Sequence, residues 1–240
     1  DSFYLNFSYL MNNLKLKKMR DLTLVIPAKK EKESLPIVLE ELKTYKLKIL
    51  IVLEESDVET INSISQYDCQ IIFQKGKGYG DAILLGLNNV STEFFCIFNA
   101  DGSFNPKELN LMYKKLNDQN FDAIFGTRYE KNCGSEDDTL VTFIGNYIFT
   151  KIGNIFFNLK ISDILYTYVL AKTNEIKSLE LTRKDFRLCV ELPIKARRSG
   201  LSLGTSNSFE RARISGKKKV NALKDGAYIL IEMIRLLFKI

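Results

Sequence analysis

Phe94 to Pro106 reads FFCIFNADGSFNP. Phe94 to Phe98 is an apolar run of strand length, and the polar residues after it form a turn that a proline ends. In extended geometry Asn99, Asp101 and Ser103 leave the backbone on one side. One carboxylate between two neutral oxygens suits a hard divalent cation, Mg²⁺ or Mn²⁺, and such a cation suits a bridging pyrophosphate. The same residues also fit a plain strand-to-helix turn, with Asp101 or Ser103 capping and Pro106 opening the next helix. The neighbouring segments weigh between the two.

Outward from this stretch, apolar runs alternate with helical periodicity. Strands are expected at Leu22 to Ile26, Lys48 to Leu53, Cys69 to Phe73, Phe94 to Phe98 and Asp122 to Gly126. Helices are expected at Leu35 to Tyr45, Asp57 to Gln66, Tyr79 to Asn88 and Pro106 to Asn117. The alternation predicts an α/β fold, a mostly parallel sheet flanked by helices, with ligands at the carboxyl ends of the strands. Pro27 to Glu31, Glu54 and Glu55, and the run KGKGYG from Lys75 to Gly80 then converge on the rim that holds Asp101. In that run glycine permits close backbone approach, and Lys75 and Lys77 can face phosphate, although a plain glycine turn has the same composition.

Hydrophobic residues make up 45% and charged residues 27%, a globular balance, and no run of about 18 uninterrupted apolar residues marks a membrane span. The net charge of +6 favours an anionic partner without choosing among nucleotide, phosphorylated lipid, membrane surface and nucleic acid. Cys69, Cys96, Cys133 and Cys189 show no paired spacing, which suits a reducing cytoplasm. Histidine is absent, so Ser-His-Asp and Cys-His catalysis are excluded, and any acid or base is a carboxylate, lysine, tyrosine or cysteine. Residues 1–20 run apolar then basic, the reverse of a signal peptide, and are expected to form an extension to one domain over 21–240.

VIPAKKEKESLPIVLEEL, KGKGYGDA, FNADGSFNPKEL, DAIFGTRY and ELPIKARRSGL, in this order and at these intervals, resemble the family 2 glycosyltransferases of the GT-A fold. The branch most similar contains the dolichyl- and polyprenyl-phosphate sugar synthases, and the resemblance spans about Leu22 to Ile231. It implies a metal-dependent, inverting hexosyltransferase that uses Mg²⁺ or Mn²⁺ and a nucleotide-sugar donor of the GDP-mannose or UDP-glucose type. The implied acceptor is a polyprenyl phosphate, with no nucleic-acid partner. Asn99, Ala100 and Asp101 stand where the family has its DXD element, with asparagine in place of the first aspartate and Ser103 as a third oxygen.

By the same resemblance Pro27, Ala28, Glu31, Glu54, Lys75, Gly78 and Arg128 fall on the donor side. Asp163, Glu191 and Arg213 join Asp101 near the reaction centre, and Arg211, Arg213 and Lys218 of the segment FERARISGKKK fall on the acceptor phosphate. Such an acceptor needs no histidine base, because a phosphomonoester is largely ionised near neutrality, its second pKa being about 6. Phe143 to Leu159 and the apolar terminal helix expected over 219–240, with Glu232, Arg235 and Lys239 on one stripe, suit a membrane interface on the cytoplasmic face; core packing for the first, and a docked helix or a dimer contact for the second, fit equally. Two alternatives stay open: transfer to a saccharide hydroxyl, and a catalytically silent nucleotide-sugar-binding protein.

Overall fold

The computed structural model describes residues 19, 21–216 and 222–238. The extension read at 1–20 lies outside the described residues apart from Met19, which is buried in the core. Lys217, Lys218 and Lys219 also lie outside them.

Strand β1, Leu22–Pro27, stops where proline ends its hydrogen bonding. Helix α1, Leu35–Leu42, follows with proline at its first turn, and a tight turn over Lys43–Tyr45 ends it earlier than the periodicity suggests. Then come β2 Lys48–Leu53, the short α2 Val58–Ser63, β3 Gln70–Phe73 and α3 Tyr79–Asn89. Strand β4, Phe94–Ile97, leads into α4, Leu109–Asp118, and β5, Ala123–Thr127. The second half adds β6 Gly134–Ser135, α5 Leu140–Phe157, β7 Val169–Lys172, α6 Thr173–Lys177 and α7 Leu188–Arg198. It closes with β8 Leu203–Asn207, β9 Phe209–Glu210 and α8 Ala222–Phe238.

Seven strands form one sheet in the order β3-β2-β1-β4-β7-β5-β8, and β6 pairs with β9 apart from it. All neighbours in the large sheet are parallel except β7, which runs antiparallel between β4 and β5. The period-2 alternation of the strands divides the core. Val25, Val52, Phe95 and Ile97 pack with α3, α7 and the inner face of α8, whereas Leu24, Ile26, Phe94 and Cys96 pack with α1 and α4. The order of strands reverses direction at β1, and the loops after β1, β2, β3 and β4 meet at their common carboxyl edge.

Candidate active site

Strand β4 ends at Ile97, and the chain turns at once. Gly102 takes φ +82, which favours glycine at the turn, and the end of the Ile214 side chain packs over it, 2.4 Å from where a Cβ would lie. The Ile214 segment is pinned by its backbone: Arg211 N–H donates to the Ser103 carbonyl and Ile214 N–H to the Asp101 carbonyl, both at 2.9 Å. The turn corrects the expectation that Asn99, Asp101 and Ser103 share one side, since the extended geometry it needs has already ended.

Asp101 Oδ1 accepts from the Ser103 N–H at 3.0 Å and its hydroxyl at 2.7 Å. Its Oδ2 lies 3.6 Å from Arg213, whose guanidinium also reaches Asp137 at 3.2 Å. Burial works against the charge on Arg213, but the hydrogen bond to Asp137 and the field of Asp101 outweigh it and raise its pKa. An acid, a base and a second acid thus stand in a row on the rim. Asn99 is occupied differently: its Oδ1 accepts from the Tyr79 hydroxyl at 3.1 Å, and that hydroxyl lies 2.7 Å from Thr167 Oγ1.

This donor set bears on the cation. Ser103 supports Asp101, Asn99 is engaged by Tyr79, and among the described residues no cluster of three acidic or thiol groups has metal-binding spacing. One carboxylate fits Mg²⁺ or Mn²⁺ only in the manner of a site completed by substrate phosphates and water, which is how Mg²⁺ is commonly held.

Beside β1 and β2 an open cleft of about 460 Å³ is lined by Lys29, Lys30, Glu54, Asp57 and Thr60. Lys29 bonds Glu54 at 2.8 Å and thereby lowers the carboxyl's pKa. Lys30 adopts φ +54 and donates its N–H to Asp57. Pro27 ends β1, Ala28 is buried with its N–H on the Val52 carbonyl, and the buried Glu31 accepts from Ser34. Ala100 is buried under the turn, Lys75 is exposed, and Gly78 opens α3 at φ +108.

Arg128 and Asp163 come together, but with each other. Asp163 is fully buried, and it accepts from Arg128 Nε at 2.7 Å, from Nη2 at 3.0 Å and from Asn146. Glu210 holds Arg128 Nη1 at 2.9 Å, and Asp138 lies 3.7 Å away. Glu191 is likewise consumed: it sits in the first turn of α7, not at the start of the helix, and its oxygens accept from Thr182 N–H, Thr182 Oγ1, Arg183 N–H and Lys195. Burial would raise its pKa, and these donors, Arg183 N–H foremost, pull it below the ordinary value. Arg211 makes a two-pronged bond to Glu41, at 3.0 and 2.9 Å, and reaches the Phe104 carbonyl at 2.7 Å. Of the candidate residues, therefore, Asp101 and Arg213 meet as a part-buried pair on the rim, while Arg128, Asp163, Glu191 and Arg211 are engaged in holding the loops around them.

Tyr79, Asp137 and Arg183 were not singled out by the sequence. Tyr79 carries a signal in its place beside the glycines of KGKGYG, whereas Asp137 and Arg183 acquire their roles only through contacts distant in sequence.

An open α/β sheet of this order, with an acidic turn after β4, is the GT-A fold. The Glycosyl transferase family 2 pattern matches residues 23–175, and the chain belongs to that family. The glycosyltransferases Mb0553 of Mycobacterium bovis and Rv0539 of Mycobacterium tuberculosis are each 24% identical over 209 residues, 87% of this chain and 94% of theirs. Among solved structures, glucosyl-3-phosphoglycerate synthase of Mycobacterium tuberculosis with UDP superposes at TM-score 0.73, with 13% identity, over 93% of this chain and 82% of that one. The same enzyme with Mn²⁺, UDP and glucosyl-3-phosphoglycerate gives 0.72 at 14% identity, covering 93% and 81%. Mannosyl-3-phosphoglycerate synthase of Rubrobacter xylanophilus gives 0.70 at 13% identity, covering 94% and 76%.

Proposed function

We propose that this glycosyltransferase inverts configuration as it moves a hexose from a GDP-mannose or UDP-glucose type donor to a polyprenyl phosphate, at the cytoplasmic face of a membrane. The observation that carries the acceptor is helix α5, which is amphipathic with its apolar face outward. Asn146, Thr150 and Asn154 face inward and bind the 161–165 segment, while Leu140, Val141, Ile144, Tyr147, Ile148, Ile155 and Phe156 stand exposed. By length and composition α5 is the one helix among the described residues able to cross a membrane. It begins three residues after Asp137, the partner of Arg213, so an apolar chain lying on it would bring its phosphate to the site.

The chemistry agrees. Asp163 and Glu191, the carboxylates that would activate a hydroxyl, are buried and fully hydrogen bonded. A phosphate brings its own negative oxygen, so it attacks the anomeric carbon without a base while the nucleoside diphosphate departs. Arg213 faces the anionic groups, the cleft beside Glu54 takes the nucleoside, and the backbone of Lys75 to Gly80 takes donor phosphate. Asp101 would hold Mg²⁺ or Mn²⁺ against the pyrophosphate, and a bound cation supplies charge stabilisation to the leaving group.

A second reading comes from glucosyl-3-phosphoglycerate synthase, crystallised with UDP, with glucosyl-3-phosphoglycerate and with phosphoglyceric acid: a small phosphorylated hydroxy acid as acceptor. Transfer assays with labelled GDP-mannose and UDP-glucose separate the two, comparing a short polyprenyl phosphate, the matching polyprenol and 3-phosphoglycerate. Product with the polyprenyl phosphate alone is expected. Product with phosphoglycerate, or equal use of phosphate and alcohol, rejects the lipid-phosphate reading.

A further inference from the structure

We infer that residues 181–187 are a positioning wall for the donor-phosphate loop, and that Arg183, gripped by acids from two helices, sets where the wall stands. The inference rests on KGKGYG being that donor loop. Glu191 of α7 takes the Arg183 N–H at 2.8 Å together with the Thr182 N–H and hydroxyl. Glu232 of α8 takes Arg183 Nε at 2.7 Å. Both carboxylates are 1% exposed, so each depends on its protein donors for the solvation it has lost. Of the stripe read as Glu232, Arg235 and Lys239, Glu232 turns inward, Arg235 stays at the surface 3.8 Å away, and Lys239 lies outside the described residues.

The other side of the wall touches the loop. The Lys184 carbonyl accepts from Asp81 N–H at 2.9 Å, and Lys184 Nζ lies 3.3 Å from the Asp81 carboxylate. A Cβ on Gly78 would fall 2.3 Å from the Lys184 carbonyl oxygen, and one on Gly80 would fall 2.4 Å from that of Arg183. Those two glycines are thus fixed by the wall itself, which approaches too closely for any side chain. Phe186 stacks on Tyr79 with ring centres 5.1 Å apart, and Tyr79 carries the contact on to Asn99, two residues from Asp101. Through Arg183 the C-terminal helix, far along the chain, becomes a support of the nucleotide site.

Removing the charge of Glu232 leaves the Arg183 guanidinium without its anion and should loosen the wall without disturbing the central strands. The test uses the full chain with Glu232→Gln, and Arg183→Lys as the conservative partner. Hydrogen exchange is followed by mass spectrometry, and UDP and GDP affinity by calorimetry with Mn²⁺. In Glu232→Gln, exchange across residues 76–81 is expected to rise about tenfold while β2 stays protected, and nucleotide affinity is expected to fall about tenfold. Arg183→Lys should lie between this variant and the wild type, because lysine keeps the charge but loses the fixed fork. Unchanged exchange at 76–81 in both variants, or exchange that rises equally in β2, overturns the wall. Failure of the wild type to bind either nucleotide would instead reject the donor-loop reading, with the exchange data still deciding the wall.

Discussion

At the scale of single residues the site turns on how little negative charge it holds. Asp101 is the one carboxylate of the NADG turn, and Asn99 contributes a neutral oxygen already bonded to Tyr79. Asp101→Ala should abolish the metal-dependent part of nucleotide binding with the fold intact, as calorimetry with and without Mn²⁺ would register. Asn99→Asp should leave Mn²⁺ affinity within about twofold, since its side chain points to Tyr79 and the added charge does not join Asp101 as a ligand. Unaltered Mn²⁺ affinity in Asp101→Ala would remove the turn from the cation site, and a tightening of about tenfold in Asn99→Asp would bring Asn99 into it. Arg213 and Arg211 should separate cleanly. If Arg213 meets an anionic oxygen, Arg213→Ala forfeits a charged hydrogen bond worth about 1.5 to 3 kcal/mol, roughly a tenfold to hundredfold loss in acceptor efficiency. Arg211 is spent on Glu41 and the Phe104 carbonyl, and its ion pair is part-exposed. Arg211→Ala should therefore cost about 1 kcal/mol of stability, screening included, and lower Tm by about 2 to 4 °C. A larger loss in acceptor efficiency for Arg211→Ala than for Arg213→Ala would reverse these assignments.

At the scale of elements, the first half of the sheet could be read from the chain, because each strand is a short apolar run between turn residues and each helix has one apolar face. What could not be read was β7, three ordinary apolar residues and a lysine, whose antiparallel placement between β4 and β5 is decided by pairing alone. The same limit applied to charges. Arg128 and Asp163 were visible as site residues by their motifs, but their contact joins positions 35 apart, and only burial turns two polar residues into one unit. Asp163→Asn should consequently cost about 1.5 to 3 kcal/mol, the loss of a charged hydrogen bond, since Arg128 keeps Glu210 as its counter-ion. Denaturant unfolding would measure it, and a loss confined to activity would restore Asp163 as a catalytic group. Glu191 supplies a pH test. Its folded pKa is depressed below the ordinary 4.5, so its contribution to stability is complete above that value and is lost as the pH falls through the folded pKa. The stability gap between wild type and Glu191→Gln should hold from neutrality down to about pH 5 and shrink below about pH 4. A gap that stays constant into acid would mean that the carboxylate charge is not what holds residues 182 and 183.

At the scale of the whole molecule, α5 and α8 pack together and both leave apolar residues in water. Leu223, Leu230, Ile231, Ile234 and Phe238 are exposed on α8, while Ile229, Glu232 and Met233 face the core. Deleting α8 would therefore disturb the nucleotide site together with any membrane contact, whereas substitutions on its outer face can test the contact alone. A half-exposed isoleucine that enters the acyl boundary gains about 1 kcal/mol, part of the value for full burial. Replacing Ile144 and Ile148 on α5 by serine should then cost about 2 kcal/mol of membrane affinity, roughly a thirtyfold loss, and the pair Ile231 and Ile234 on α8 should cost as much. Sedimentation with anionic liposomes gives the measurement, and Tm should not fall, because none of the four side chains packs in the core. Nucleotide affinity in the absence of lipid should hold as well, since the inward carboxylate Glu232 is untouched. Unchanged sedimentation in both pairs would reject the membrane surface. If the wild type instead sediments as a dimer without lipid, and serine at these positions makes it a monomer, the outer faces of α5 and α8 belong to a second copy of the chain.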